Sequence, residues 1–226
     1  IRAVVFDLDN TLVDFMAMKR LAVDAAITAM IDAGFNLSRE EILERINIIY
    51  DEKGMEYQYV FDTLLYEQFQ KVDYKILSAG IIAYRKSREA SLVPYPHVTS
   101  TLMELVKRQF QLAVVSDAPA REAWLRLSYL NFSHVFDVVI TFDDTGERKP
   151  SPAPFRKALE KLQLQPNETI MVGDWAERDI VGASNVGMKT VFARYGDAFE
   201  TQEPQADYEI TDIRQLLEII EKENAK

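Results

Sequence analysis

The chain has 226 residues, no cysteine and a formal net charge of −10 at pH 7. The missing cysteines exclude a disulfide framework, a thiolate nucleophile and any cysteine metal site. The acidic balance argues against a nucleic-acid surface, which would carry a basic stripe, and leaves positive charge for an anionic substrate to be supplied locally. With 48% hydrophobic residues, a core can form without staples. No stretch approaches the roughly 18 apolar residues of a spanning helix, and Asp7 interrupts the opening too soon for a signal peptide. The expectation is a soluble cytoplasmic protein with no membrane or nucleic-acid partner.

Ala3–Phe6 reads as a short apolar strand that runs straight into two acids, Asp7 and Asp9. From Phe15 to Ser91 proline is absent. Apolar residues there recur three and four apart, as at Leu21, Ala25, Ile27, Met30 and Ile31, which is helical spacing. Gly34 with Asn36 stops one helix, and Ser38 ahead of Glu40 and Glu41 caps the next. Further helix is predicted around Glu56–Lys71 and Val72–Arg88. The segment VPYPHV, Val93–Val98, reads as a return hinge. Strands follow at Leu112–Val115, Val138–Thr141, Ile170–Val172 and Thr190–Phe192, with helices at Pro119–Leu130, Pro152–Leu162 and Asp179–Val186. A fraying helix is predicted for Glu218–Lys226.

Strand and helix alternating at this rhythm predict an α/β fold, a Rossmann-like parallel sheet with helices on both faces. The expected core is discontinuous, residues 1–14 and 92–226, with an all-helical domain inserted at 15–91. Polar groups stand at several strand ends: Asp7 and Asp9, then Ser116-Asp117 after LAVV, then Gly173-Asp174 after TIMV. Ligands of open parallel sheets bind beyond the carboxyl ends of the strands, so these groups should converge. Residues two apart on a strand share a side, which lets Asp7 and Asp9 face one site.

Four separated motifs make the chain similar to the haloacid dehalogenase superfamily of hydrolases. They are DLDNT (Asp7–Thr11), VVSDA around Ser116, RKPSPAPF around Lys149, and GDWAERDI with Asp174 and Asp179. The resemblance covers the whole chain, with 15–91 in the place of the family's helical cap. It implies a Mg²⁺-dependent phosphatase that hydrolyses a small phosphorylated metabolite through an aspartyl-phosphate. Asp7 would be the nucleophile and Asp9 the general acid and base. Lys149 would supply positive charge. Ser116, with the backbone N–H groups of Asp117 and Ala118, would hold a phosphate oxygen. Asp7, Asp174 and the backbone carbonyl of Asp9 would hold the metal, with Thr11 and Asp179 behind them. A phosphomutase, a phosphonate or haloacid hydrolase and a non-catalytic phosphate-binding protein are the alternatives. Asp9 and the acidic fourth motif count against a dehalogenase, and nothing marks Lys19 or Lys53 as the lysine a phosphonate hydrolase needs.

Taken singly, each motif has a bland reading. Ser116 could cap a helix, Lys149 could be solvated, and Asp179 could favour a helix N-terminus. Asp14, Asp143 and Asp144 read as structural, and His97 and His134 show no partner. Most tyrosines fall in the insertion, at Tyr50, Tyr57, Tyr59, Tyr66, Tyr74 and Tyr84, where packing at helix interfaces is the ordinary role. Phe15–Arg20 and Tyr57–Tyr59 are the expected substrate contacts. Oligomeric state leaves no trace in the sequence.

Overall fold

The computed structural model describes residues 1–225. Six short strands, β1 (Ala3–Phe6), β2 (Gln111–Val115), β3 (Val138–Ile140), β4 (Thr169–Gly173), β5 (Lys189–Ala193) and β6 (Tyr208–Ile210), form one sheet in the order β3-β2-β1-β4-β5-β6. Every pair is parallel, with Ala3 opposite Gln111 on one side and Thr169 on the other. The order reverses direction at β1, and ligand crevices of such sheets open at that switch point.

Strands β1, β2, β4 and β5 are nearly all buried because both faces are covered, as continuous apolar runs require. Ala3, Val5, Ala113, Val115 and Met171 pack on one face with Phe155, Ala158 and Leu159 of a helix at Pro152–Leu162. Val4, Phe6, Leu112, Val114, Ile170 and Val172 fill the other. The sequence reading lacks β6, since only Ile210 of that strand is buried and one apolar position makes no run. It also starts one helix too late. After β4 the chain turns at once through a π-helical segment, Ala176–Ile180, before the regular helix at Val181–Asn185.

The described residues form ten α-helices: α1 (Phe15–Asp32), α2 (Arg39–Lys53), α3 (Val60–Phe69), α4 (Tyr74–Ser91), α5 (Val98–Lys107), α6 (Ala120–Tyr129), α7 (Phe142–Thr145), α8 (Pro152–Leu162), α9 (Val181–Asn185) and α10 (Gln215–Asn224). The expected helix at Glu56–Lys71 begins later, at Val60, because residues 54–59 form turns. The tail helix starts earlier than expected, at Gln215.

The chain divides into two compact units, Ile1–Met16 with Leu92–Lys226, and Ala17–Ser91. In the helical unit, Ala26, Ile27, Met30, Ile42, Ile46, Leu64, Leu65 and Ile76 form the core. Ser38 caps α2 as the sequence predicts. Its Oγ accepts from the Glu41 N–H while the Glu41 carboxylate accepts from the Ser38 N–H, a reciprocal capping box. Tyr50 is buried, whereas Tyr59, Tyr66 and Tyr74 are exposed. Lys19 carries a signal the sequence did not give. It is buried, donates to the Met55 carbonyl and the Tyr84 hydroxyl, and lies 4.3 Å from the centre of the Tyr50 ring.

Removing the cap isolates its contribution. Ser38→Ala is expected to destabilise the helical unit by about 1 kcal/mol, read as a shift in urea midpoint at unchanged slope. No shift would mean that solvent replaces the cap without loss.

Candidate active site

Asp7 follows β1 directly, and its N–H donates to the Val172 carbonyl of β4, which continues the ladder one residue past the strand. That extension holds the carboxylate at the lip of the sheet, where it is buried. Asp174 stands in the equivalent place after β4. Its Oδ1 accepts from Thr11 Oγ1 at 2.9 Å, and both side chains are buried.

Lys149 reaches this pair from the segment ahead of α8. Its Nζ donates to Asp7 Oδ1 at 2.5 Å and to Asp179 Oδ1 at 2.6 Å, with the side chain only 3% exposed. Asp179 is held from two directions, since its Oδ2 accepts from the Trp175 N–H at 3.0 Å. The carboxylate also presses on Gly173, where any Cβ would lie 2.4 Å from it. Glycine is therefore required there to let the acid approach β4.

The Ser116-Asp117-Ala118 turn follows β2. The Ala118 N–H donates to Ser116 Oγ at 3.1 Å, a local turn of the kind serine favours. Asp117 does more than contribute backbone. Its Oδ1 accepts from the Lys149 N–H and its Oδ2 from Arg178, both at 2.9 Å, so one side chain ties the second, third and fourth motifs together. Arg178 in turn stacks on Trp175, 3.7 Å from the ring centre.

Asp9 forms an ion pair with Arg126 of α6, and its charge acts on Asp7. The loop beyond it is fixed by groups that sequence reasoning missed. Tyr195 donates its hydroxyl proton to the Thr11 carbonyl at 3.0 Å, and Gly196 lies so close to Asn10 that a Cβ would overlap its carbonyl oxygen. Asn10 itself adopts a left-handed backbone, φ 61°, which asparagine tolerates better than most residues. His97 has a partner after all, with Nδ1 2.9 Å from Asp212 Oδ2.

Electrostatics here is set by burial. Desolvation raises the Asp7 carboxyl, and the charges of Asp179 and Asp9 push it further, against the pull of Lys149; the result is about 8. Asp174 is likewise raised by desolvation and by Asp7 and Asp179. For Lys149 burial acts to lower the value, but Asp179, Asp7 and Asp117 outweigh it and hold the ammonium charged. Asp7, Asp174 and Asp179 each offer a carboxylate oxygen within 4.8 Å of the others. A compact set of carboxylate oxygens, crowded enough to resist ionisation, fits a hard divalent cation.

Residues 4–193 match the haloacid dehalogenase-like hydrolase family. The chain belongs to that family. Over 99% of its length and 95% of the relative's, it is 37% identical to glyceraldehyde 3-phosphate phosphatase of Pyrococcus furiosus. It is 30% identical to pyrophosphatase PpaX of Bacillus mycoides over 99% of both chains. Among solved structures, a haloacid dehalogenase-like phosphatase from Thermococcus onnurineus is 28% identical and superposes with a TM-score of 0.69, covering 97% of this chain and 98% of the other. The protein is thus a haloacid dehalogenase-like hydrolase, and the two curated relatives above are named as phosphatases.

Two outcomes follow for this hydrolase. A carboxyl raised on folding favours the folded state below its unfolded value, and that contribution disappears as pH rises through the folded value. In EDTA, the melting temperature should therefore fall as pH rises from the ordinary carboxylate range near 3.8 towards about 8, the window set by Asp7. The fall should be smaller in Asp7→Asn, and equal falls in both proteins would refute the assignment. Gly173→Ala, forced against Asp179, should cost at least ~10-fold in turnover by displacing the partner of Lys149, since misplacing a reacting geometry by about 1 Å can cost 10²-fold.

Proposed function

We propose that the enzyme is a Mg²⁺-dependent phosphatase acting on a short phosphorylated metabolite, with a triose phosphate as the first candidate. The observation that carries this reading is the buried Asp7, Lys149, Asp179 and Asp174 network beyond the carboxyl ends of β1 and β4. The 37% identity to a glyceraldehyde 3-phosphate phosphatase over nearly the full length supports the substrate class.

In the proposed reaction, the Asp7 carboxylate attacks phosphorus and the bond to the ester oxygen breaks. Asp9, as the carboxylic acid, gives its proton to the departing alkoxide, so an alcohol leaves and Asp7 carries an acyl phosphate. Asp9 is now a carboxylate. It takes a proton from water, the hydroxide attacks the same phosphorus, and the bond to Asp7 breaks to release phosphate. Positioned proton transfer of this kind contributes ~10²–10⁴-fold. Lys149 holds the Asp7 carboxylate in place and offsets charge on the phosphoryl oxygens. Ser116 and the N–H groups that follow it bind a phosphoryl oxygen, the Ala118 N–H exchanging its Ser116 contact for the substrate. Held by Asp7, Asp174 and the Asp9 main-chain carbonyl, Mg²⁺ would neutralise the repulsion between carboxylates and phosphate. The inserted helical unit acts as the cap that chooses the substrate and excludes bulk water.

A second reading, pyrophosphate hydrolysis, is favoured by the 30% identity to pyrophosphatase PpaX. Phosphate release from D-glyceraldehyde 3-phosphate, 4-nitrophenyl phosphate and pyrophosphate, each with and without Mg²⁺, separates the two. The expected result is Mg²⁺-dependent release with the highest kcat/KM on the triose phosphate, and none above background in Asp7→Asn. Preference for pyrophosphate would select the second reading. Turnover surviving in Asp7→Asn would refute the aspartyl-phosphate in both. Transfer to a sugar hydroxyl without net phosphate release would mark a mutase.

A further inference from the structure

Arg126 stands beside the reacting groups, and the phosphatase reading assigns it nothing. It occupies the inward side of α6 with Ala123 and Leu127, and its side chain is 7% exposed. Arginine is seldom buried so deeply without an acid, because its charge is withdrawn from water only at a large cost. One acid that meets it is Asp9. Arg126 Nη1 lies 3.0 Å from Asp9 Oδ2, within ion-pair range. The Phe15 ring lies under the guanidinium, 4.5 Å from its carbon. Glu122, one turn earlier on α6, is also buried.

We infer that Arg126 is a positioning residue for Asp9, holding one carboxyl oxygen so that the group is presented in a fixed place for its two proton transfers. The inference rests on the proposed phosphatase mechanism and deepens it. An aspartate in a loop has two side-chain rotors and samples several orientations unless something holds it. Proton transfer requires approach to hydrogen-bond distance in a defined direction. A guanidinium suits the task because it stays charged at every working pH. It can therefore hold Oδ2 whether or not the carboxyl carries its proton, and so serves both half-reactions alike. The Phe15 face and the α6 backbone fix the guanidinium in turn.

A group that merely staples the core would behave differently, and the leaving group tells the two apart. An alkyl phosphate departs as a strongly basic alkoxide and needs the proton from Asp9. A 4-nitrophenyl phosphate departs as a weakly basic phenolate and hardly needs it. The ratio kcat/KM covers only steps up to release of the alcohol, so it isolates the acid step. For Arg126→Met, kcat/KM on D-glyceraldehyde 3-phosphate is expected to fall at least ~10-fold more than on 4-nitrophenyl phosphate, a part of the ~10²–10⁴-fold that the acid step supplies. Arg126→Lys keeps a charge near Oδ2 and should recover part of the loss; it also serves if the methionine variant does not fold.

A double-mutant cycle closes the test. If Arg126 works through Asp9, adding Arg126→Met to Asp9→Asn should cost little more on the alkyl substrate than Asp9→Asn alone. Equal losses on both substrates in Arg126→Met and Arg126→Lys, additive losses in the cycle, or no loss at all would each overturn the proposal. Failure of the underlying mechanism looks different. In that case Asp9→Asn itself leaves the alkyl-to-aryl ratio unchanged, or Asp7→Asn keeps its turnover, and the role given to Arg126 falls with it.

Discussion

Three carboxylates withdrawn from water at the end of a sheet would repel one another strongly, and only one ammonium is placed between them. Lys149 bonds to Asp7 and Asp179, while Asp174 has the neutral hydroxyl of Thr11. The balance is therefore incomplete in the protein alone, and it shows as carboxyls that resist losing their protons. An isolated structural ion pair would gain nothing from such a deficit, because unmatched buried charge weakens a fold. In the proposed reaction a cation and a phosphate would enter this site, and each arriving charge would be met by one already fixed in place.

Holding that arrangement accounts for much of the surrounding detail. Gly173 lacks a side chain because Asp179 occupies the space. Asp117 links the backbone of Lys149 to Arg178, so the turn after β2, the lysine segment and the π-helical turn after β4 are joined through one carboxylate. Tyr195 and Gly196, after β5, grip the loop that carries Asp9 and Thr11. Strands β1, β2, β4 and β5 thus contribute two things, an apolar body buried in the sheet and a polar end that braces a neighbour's end. Backbone order in the sheet is converted into side-chain order at the crevice.

The strand-end acids were legible because they break apolar runs abruptly, and Ser38 was legible because a capping box has its own spacing. Arg126 was not. Glu122 and Arg126 stand four apart on a helix, the spacing of an ordinary exposed ion pair, and only the packing of α6 shows that this side faces inward. Lys19 was hidden in the same way, its aromatic neighbours Tyr50 and Tyr84 lying on two other helices. Asp117 was read for its backbone, since nothing local reveals that its side chain reaches partners 32 and 61 residues away. Periodicity reports which residues face a core; it does not report which distant polar groups will meet.

Val13 pairs in antiparallel fashion with Pro94, and the Tyr95 N–H donates to the Leu12 carbonyl. The sheet-bearing unit therefore fastens together the two points at which the chain departs for the helical unit and comes back. Seen from the sheet, everything between those points is a closed loop with its ends already met. The entropy of closing a flexible loop grows only logarithmically, about 0.6 kcal/mol for each doubling of length. A stitched junction of this kind makes the sheet's folding nearly indifferent to the size of what hangs from it.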